Sequence, residues 1–140
     1  MPSSSRRSAV VVISANDGEL KSLPVRGGNG KITKVVHHQN FETKGHLIGL
    51  SVATHQPGAS CDEHNHRGAD EQFYVLSGKG VITIDGVKHT VQVGDSVFVP
   101  AGAMHIVSAD PNSAPFVVQC ILVRAPGHES DDMPWLSGTA

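Results

Sequence analysis

The feature that most limits the fold of this chain is how glycine and proline divide it into short apolar runs. The 140 residues include 15 glycines and 8 prolines. No stretch between them has the apolar spacing of a long amphipathic helix. Short apolar runs that end at Gly or Pro turns are typical of β-strands. The pattern therefore predicts an all-β protein, built as an antiparallel sandwich or barrel.

The predicted strands follow from these runs and from the turns between them. Asp85-Gly86 favours a two-residue hairpin turn between two strands. Ser77-Gly78-Lys79-Gly80 is interpreted as another turn, and Pro100 ends a strand. The predicted strands cover residues 10–13, 32–38, 47–55, 71–76, 81–85, 87–93, 95–99, 105–108 and 116–124.

The length and the cysteine content indicate one domain in a reducing compartment. A chain of 140 residues can bury a core without disulfides, and Cys61 and Cys120 are too few for a disulfide framework. We expect a flexible N-terminal segment over residues 1–8, a barrel domain over 9–124 and a C-terminal extension over 125–140. Arg6-Arg7 and the apolar run after it could pass for an export signal, but that run is short. The predicted location is therefore the cytoplasm.

Charge and aromatic content argue against two classes of partner. The formal net charge is −2 and aromatic residues make up 4% of the chain, so neither a basic surface nor a stacking platform for nucleic acid is predicted. No stretch approaches the ~20 apolar residues of a membrane-spanning helix. We therefore predict a small-molecule substrate as the partner, with no nucleic acid and no membrane.

Three histidines and one glutamate give the strongest functional signal in the sequence. His64 and His66 share one side of an extended strand, Glu71 can return a carboxylate at the start of the next strand, and His105 follows the turn around Pro100. Imidazoles with one carboxylate suit a divalent transition metal. We predict one such ion, preferably iron, with manganese, nickel, zinc and copper as alternatives. A hydrogen-bonded histidine cluster without metal is the other interpretation.

The spacing of these residues resembles the two signatures of the cupin family. The stretch Gly58-x5-His64-x-His66-x4-Glu71-x6-Gly78 is similar to the first signature, and Gly94-x5-Pro100-x-Gly102-x2-His105 is similar to the second. The resemblance covers about residues 45–123. It implies an antiparallel jelly-roll β-barrel, often a homodimer, in which His64, His66, Glu71 and His105 hold one metal ion.

Three functions fit such a site, because a fold does not settle a reaction. The leading hypothesis is a non-haem iron oxygenase or dioxygenase that acts on a small organic molecule in an apolar pocket. The second is an isomerase, cyclase or lyase that uses the metal without O2. The third is a non-catalytic protein that binds a small ligand.

Residues predicted to surround the metal are mostly apolar. They are expected to line a dry substrate pocket, although they could simply fill the barrel; the set is Phe73, Val75, Val97, Val99, Val107, Gln119 and Ile121. His55 is a candidate acid/base at the end of its strand, and the alternative is a rim histidine. Both cysteines are interpreted as packed residues, and Asp62 and Asp70 as ordinary solvated charges.

Overall fold

The computed structural model describes residues 21–24, 28–39 and 45–129. Within these ranges the chain forms β-strands and no helix, so no described helix could cross a membrane. The strand predicted at residues 10–13 lies outside the described residues. The strands are β1 Lys21–Pro24, β2 Ile32–Gln39, β3 Leu47–His55, β4 Ala69–Ser77, β5 Lys79–Ile84, β6 Val87–Gln92, β7 Ser96–Val99, β8 His105–Ala109 and β9 Phe116–Arg124.

The strands form two antiparallel sheets that face each other. One sheet has six strands in the order β1-β2-β3-β9-β4-β7, and the other has three in the order β6-β5-β8. A continuous core fills the space between them, with Val75 and Val118 from the larger sheet and Ile82 and Val107 from the smaller one. The all-β jelly-roll architecture predicted from the sequence is confirmed.

The chain passes from the larger sheet to the smaller one at Gly78. Ser77 ends β4 and Lys79 begins β5, so the predicted four-residue turn at 77–80 is wrong. The reason is that β5 pairs with β6 and β8 and leaves β4. Gly78 has a φ of +70°, and a Cβ at this position would approach the carbonyl oxygen of Pro115 to 2.5 Å. Only glycine fits this crossing without strain.

The hairpin predicted at Asp85-Gly86 is confirmed. Both residues have positive φ, 46° for Asp85 and 82° for Gly86, as a type I′ turn requires. The Asp85 carboxylate also accepts a hydrogen bond from the Met104 amide at 2.9 Å. The hairpin therefore holds the residue immediately before His105.

Strand β1 was not predicted from the sequence. Its four residues, Lys-Ser-Leu-Pro, carry neither an apolar alternation nor a strong β-propensity. The strand lies at the edge of the larger sheet and pairs only with β2 among the described strands. Pro24 at its end is tolerated there because an edge strand needs fewer amide donors.

Candidate metal centre

Four side chains from both sheets meet in one cluster. His64 and His66 come from the segment that precedes β4, Glu71 is the third residue of β4, and His105 begins β8. One ligand atom from each residue lies within 4.8 Å of the others. The structure therefore brings together all four residues that the sequence singled out.

The backbone joins the two segments that carry the histidines. The His105 amide donates to the His64 carbonyl at 2.8 Å, and the His64 amide donates to the His105 carbonyl at 3.1 Å. The Gly102 amide donates to the His66 carbonyl at 2.8 Å. These bonds fix the spacing between the first and second motifs before any side chain is considered.

Two of the imidazole rings are oriented by carbonyl groups of their own segments. His64 Nδ1 lies 2.8 Å from the Asp62 carbonyl oxygen, and His105 Nδ1 lies 3.0 Å from the Ala103 carbonyl oxygen. A carbonyl oxygen can only accept, so each Nδ1 carries the proton. Each Nε2 then faces the cluster and would offer its lone pair to a metal ion once any proton on it is displaced, which is the arrangement that metal-binding histidines use.

The Glu71 carboxylate is buried at the centre of the cluster. Its Oε1 lies 3.1 Å from His66 Nε2 and 3.1 Å from His105 Nε2. Burial alone would raise the pKa of the Glu71 carboxyl. Hydrogen bonds from His105 and His66, together with the positive charge of His66, outweigh burial and hold this pKa well below its ordinary value. The residue therefore supplies a permanent negative charge.

The pKa values of His64 and His105 shift in opposite directions. Burial lowers the pKa of His64, and the neighbouring His105 and His66 lower it further. Burial by itself also lowers the pKa of His105, but the hydrogen bonds with Glu71 and Ala103 outweigh it and leave the pKa of His105 raised. His64 is half-buried while His66, Glu71 and His105 are buried, so the cluster opens to solvent on the side of His64.

The donor set and its spacing fit a divalent transition metal. Metal–ligand bonds of about 2.1 Å place neighbouring ligand atoms of an octahedral ion about 3.0 Å apart. The two 3.1 Å separations around Glu71 Oε1 are close to that edge length. Three imidazole nitrogens with one carboxylate oxygen are also the ligand types that such ions take.

Asp62 and Asp70, interpreted from the sequence as solvated charges, both accept backbone hydrogen bonds, and Asp70 and Asn65 join the two motifs. Asp70 lies in β4 and accepts a hydrogen bond from the Ala101 amide at 2.9 Å. Asn65 donates to the Gly102 carbonyl at 3.3 Å, and Asp62 accepts from the Gly28 amide at 2.7 Å. Asn65 and Asp70 are immediate sequence neighbours of the ligands His64, His66 and Glu71, and this alternation was the available signal, because such neighbours point away from the metal and towards supporting chain.

Lys34 on the inner face of β2 is a charged residue that sequence reasoning missed. It pairs with Ala53 on β3, which pairs with Val118 on β9, and both neighbours are buried. Residues opposite each other in antiparallel strands share a face of the sheet. The Lys34 side chain is half-buried, and its positive charge lowers the pKa of Glu71 and of His105.

His55 does not belong to the cluster. It pairs with Phe116, whereas Glu71 is level with Leu122 and Gly49. His55 is six positions after Gly49 in β3, which is roughly 20 Å along a strand. The Nδ1 of the buried His55 lies 3.1 Å from the Phe116 carbonyl oxygen. The prediction of an acid/base beside the metal is therefore wrong, because the residue lies near the opposite end of the sheet.

The predicted pocket residues divide into two groups. Phe73, Val75, Val99 and Val107 are buried in the shared core, and Val97 is half-buried against it. The Phe73 ring lies 6.0 Å from the His105 ring, centre to centre, so this wall excludes water from one side of the cluster. Whether these side chains also contact a substrate stays a prediction.

Gln119 and Ile121 face away from the cluster, which corrects the prediction for both. The inner face of β9 carries Phe116, Val118 and Cys120, all buried. Residues at odd numbers in this strand therefore point outward. Gln119 pairs with Tyr74 and Ile121 pairs with Gln72, two residues that are exposed.

Both cysteines are packed residues, as predicted. Cys61 and Cys120 are free and buried. Burial raises the pKa of the Cys61 thiol, and it raises the pKa of the Cys120 thiol to about 12 with help from the Glu71 charge. Neither thiol is activated as a nucleophile.

The chain is similar to one protein family and to several individual proteins. The cupin domain family matches residues 51–122. A dimethylsulfoniopropionate lyase from Ruegeria pomeroyi is 35% identical over 103 residues, covering 70% of this chain and 66% of the lyase. An oxalate-binding protein from Thermotoga maritima is 28% identical over 91 residues, covering 64% and 74%. The crystal structure described as a predicted oxalate decarboxylase from Thermotoga maritima superposes with a TM-score of 0.70 at 22% identity, covering 82% of this chain and 99% of that one.

Proposed function

Because this chain belongs to the cupin family, we propose that it is a metal-dependent enzyme that cleaves or rearranges a small carboxylic acid without using O2. The observation that carries this function is the cluster of four ligand atoms within 4.8 Å. Its two anchored imidazoles and its buried, ionised glutamate are prepared for a cation. The names of two relatives, an oxalate-binding protein and a dimethylsulfoniopropionate lyase, both specify carboxylates and support the substrate class.

Each residue of the site has a defined task in this function. His64, His66, Glu71 and His105 would hold one divalent ion. When bound, that ion would supply a Lewis acid that polarises a carboxyl or carbonyl oxygen. The Asp62 and Ala103 carbonyls keep the rings of His64 and His105 in the ligating tautomer.

Solvent access to the cluster is uneven, which sets the direction of substrate entry. Phe73 is 4% exposed and packs near His105, so water is kept from the inner side. His64 is the half-buried ligand. We propose that the substrate enters on the side of His64, where the chain leaves the cluster open.

The sequence predicted an oxygenase, and this remains the second candidate function. The same four ligands would leave two positions of a six-coordinate iron free for substrate and O2. The buried apolar residues beside His105 would protect a reactive centre from water. A non-catalytic ligand-binding protein is the third candidate, supported by the oxalate-binding relative.

One experiment separates the three functions. Metal-free protein is loaded separately with Fe, Mn, Zn, Ni and Cu, and a panel of small carboxylic acids is incubated with each form, in air and under anaerobic conditions. We expect product, detected by mass spectrometry, in both atmospheres with at least one metal. Product that forms only with matching O2 uptake would establish the oxygenase instead. Ligand-induced stabilisation without any product would establish the binding protein.

Two variants test whether the measured turnover depends on the cluster of four ligands. Glu71→Gln keeps the shape of the side chain but removes its charge, and we expect it to abolish turnover. His89→Ala changes an exposed histidine on β6 and serves as the matched control with unchanged activity. Turnover that survives in Glu71→Gln would contradict the assignment of the site.

We also propose a homodimer formed through the outer face of the larger sheet. Tyr74, Leu76 and Phe98 are 44%, 46% and 59% exposed on that face. Adjacent exposed apolar side chains on a sheet favour pairing with a second copy. Light scattering is expected to give the mass of two chains, and Phe98→Glu is expected to give the mass of one.

A further inference from the structure

We propose that Arg124 is a positioning residue for the metal centre, which fixes the loop between His66 and Glu71 by clamping the segment after β9 against it. We call residues 124–129 the clasp. This inference rests on the proposed function, because it concerns the same cluster of four ligands. Arg124 acts through the main chain of its neighbours and takes no part in holding the ion.

The register of the larger sheet places Arg124 beside the strand that carries the carboxylate ligand. Arg124 is the last residue of β9 and pairs with Ala69, the first residue of β4. Glu71 follows Ala69 by two positions and therefore shares its face of the sheet. The Cα atoms of Arg124 and Glu71 are then diagonal neighbours, about 7–8 Å apart.

The Arg124 side chain is buried, which is rare for an arginine. It is 3% exposed, and a buried guanidinium is favourable only where acceptors surround it. Its Nε donates to the Gly45 carbonyl oxygen at 3.0 Å, and its Nη1 donates to the His128 carbonyl oxygen at 3.2 Å. Gly45 precedes β3 and His128 follows β9. One planar fork therefore joins two segments that are far apart in the sequence.

The main chain of the clasp contacts the loop that separates two of the metal ligands. The Ala125 amide donates to the Gly68 carbonyl oxygen at 2.9 Å, and both residues are buried. Gly68 lies between the ligands His66 and Glu71 in the sequence. Because the guanidinium of Arg124 holds a carbonyl group four residues further on, the clasp leaves Gly68 only if that bond breaks.

Hydrogen bonds from the second motif also hold this loop. The Gly102 amide donates to the His66 carbonyl at 2.8 Å, and the Ala101 amide donates to the Asp70 carboxylate at 2.9 Å. These bonds tie the loop to the segment that carries the third histidine, whereas the bond from Ala125 ties it to β9. Loss of the clasp would therefore let the loop shift relative to β9 and change the spacing of the two ligands that flank it.

The test follows Co²⁺ binding by visible absorption in the intact chain, at a temperature where every variant is folded. Arg124→Met keeps a long apolar side chain but removes the donors, and Arg124→Lys keeps the charge without the fork. His55→Ala is the matched control, because it also removes a buried hydrogen bond to a carbonyl oxygen, far from the cluster. Lys88→Met changes an exposed lysine on β6 and controls for the loss of one charge.

We expect Arg124→Met to bind Co²⁺ about tenfold more weakly, at the lower end of the loss seen for groups that orient metal ligands. Its visible spectrum should also change, because the spectrum reports the geometry of the ligands. The affinity of Arg124→Lys should fall between those of Arg124→Met and the unmodified protein. His55→Ala and Lys88→Met should keep the affinity and the spectrum of the unmodified protein, which separates positioning from a general loss of stability.

Unchanged Co²⁺ affinity and spectrum in Arg124→Met would overturn the positioning role, and so would an equal loss of affinity in His55→Ala. If Arg124→Met does not fold, Arg124→Lys decides, since weaker binding with an altered spectrum supports the role and unchanged binding overturns it. Failure of the unmodified protein to bind Co²⁺ would remove the proposed function together with this role, whereas the other outcomes leave the proposed function intact.

Discussion

Two buried histidines lie at opposite ends of the space between the two sheets, and each is surrounded by different partners. His105 lies in the ligand cluster, where Glu71 Oε1 approaches its Nε2 at 3.1 Å. His55 lies near the other end, where its Nδ1 meets the Phe116 carbonyl oxygen and its ring packs 5.7 Å from the Phe116 ring. The pKa of His105 is raised, while burial lowers the pKa of His55.

This difference shows that burial alone does not make a histidine functional. Both residues are almost inaccessible to solvent, 0% exposed for His105 and 4% for His55. The difference comes from the neighbouring Glu71 carboxylate, because it raises the pKa of the His105 ring and supplies a second ligand atom for a metal ion. His55 has an aromatic ring and a backbone oxygen instead, which suit a packed, neutral side chain.

The largest expected effect is a loss of metal affinity on substitution of His105, with no such loss on substitution of His55. His105→Ala should lower the affinity for Zn²⁺ by at least about 100-fold, because a direct ligand matters more than the outer groups whose loss costs 10–100-fold. His55→Ala should bind one equivalent with unchanged affinity. Competition with a chelating dye measures both. Equal Zn²⁺ affinity in the two variants would contradict the assignment of His105, and not His55, as a metal ligand.

The second-largest expected effect is a loss of folding stability. Here we expect the substitution at His55, and not the one at His105, to have the larger effect. His55→Ala removes a buried ring and leaves the Phe116 carbonyl oxygen without this partner. We expect a loss of about 2–3 kcal/mol in the free energy of unfolding, measured by urea denaturation of metal-free protein. His55→Phe, which fills the space but cannot donate, separates packing from hydrogen bonding. A His55→Ala protein as stable as the unmodified one would exclude a structural role.

A smaller effect is the pH dependence that His55 contributes. Its pKa is lowered in the folded state, so between the folded and unfolded pKa values the unfolded chain binds more protons. Stability from this group is therefore present above the unfolded pKa of about 6.5 and declines as the pH falls towards the folded pKa. The slope is at most about 1.4 kcal/mol per pH unit. His55→Asn should flatten the curve of unfolding free energy between pH 7.5 and 5.5, and an unchanged slope would show that another group controls it.

The smallest effect is a difference between two inert thiols. The pKa of Cys120 is raised to about 12, and that of Cys61 is raised as well. Both should react with a thiol-specific disulfide reagent far more slowly in native protein than in urea, with Cys120 slower than Cys61. Single variants, Cys61→Ser and Cys120→Ser, assign the two rates. Rapid native reaction of Cys120 would mean that its strand opens readily.

Much of the fold could be predicted because local patterns agree with the final structure. Residues 47–55 and 116–124 were predicted as strands and are β3 and β9 without a shift. The motif spacing also predicted which four side chains would meet. These features depend on alternation and turn chemistry within short segments, which a sequence displays directly.

The features that could not be predicted depend on pairing between strands that are distant in the sequence. Both faces of β9 are apolar, so its alternation does not reveal that Ile121 points outward and Cys120 inward; only the partners Gln72 and Phe73 do. Lys34 has the opposite problem, because a charged residue in a strand is normally assigned to solvent. Its register with Ala53 and Val118 reverses that assignment.

The carbonyl groups of Asp62 and Ala103 have one further consequence. By holding the Nδ1 protons of His64 and His105, they freeze ring rotation while the chain folds, before a cation arrives. The rotational entropy of those rings is then lost once, in folding, and does not weaken capture of the ion. Distortion of either carbonyl would therefore reduce folding stability and cation affinity together, so that the two properties are thermodynamically linked through the main chain.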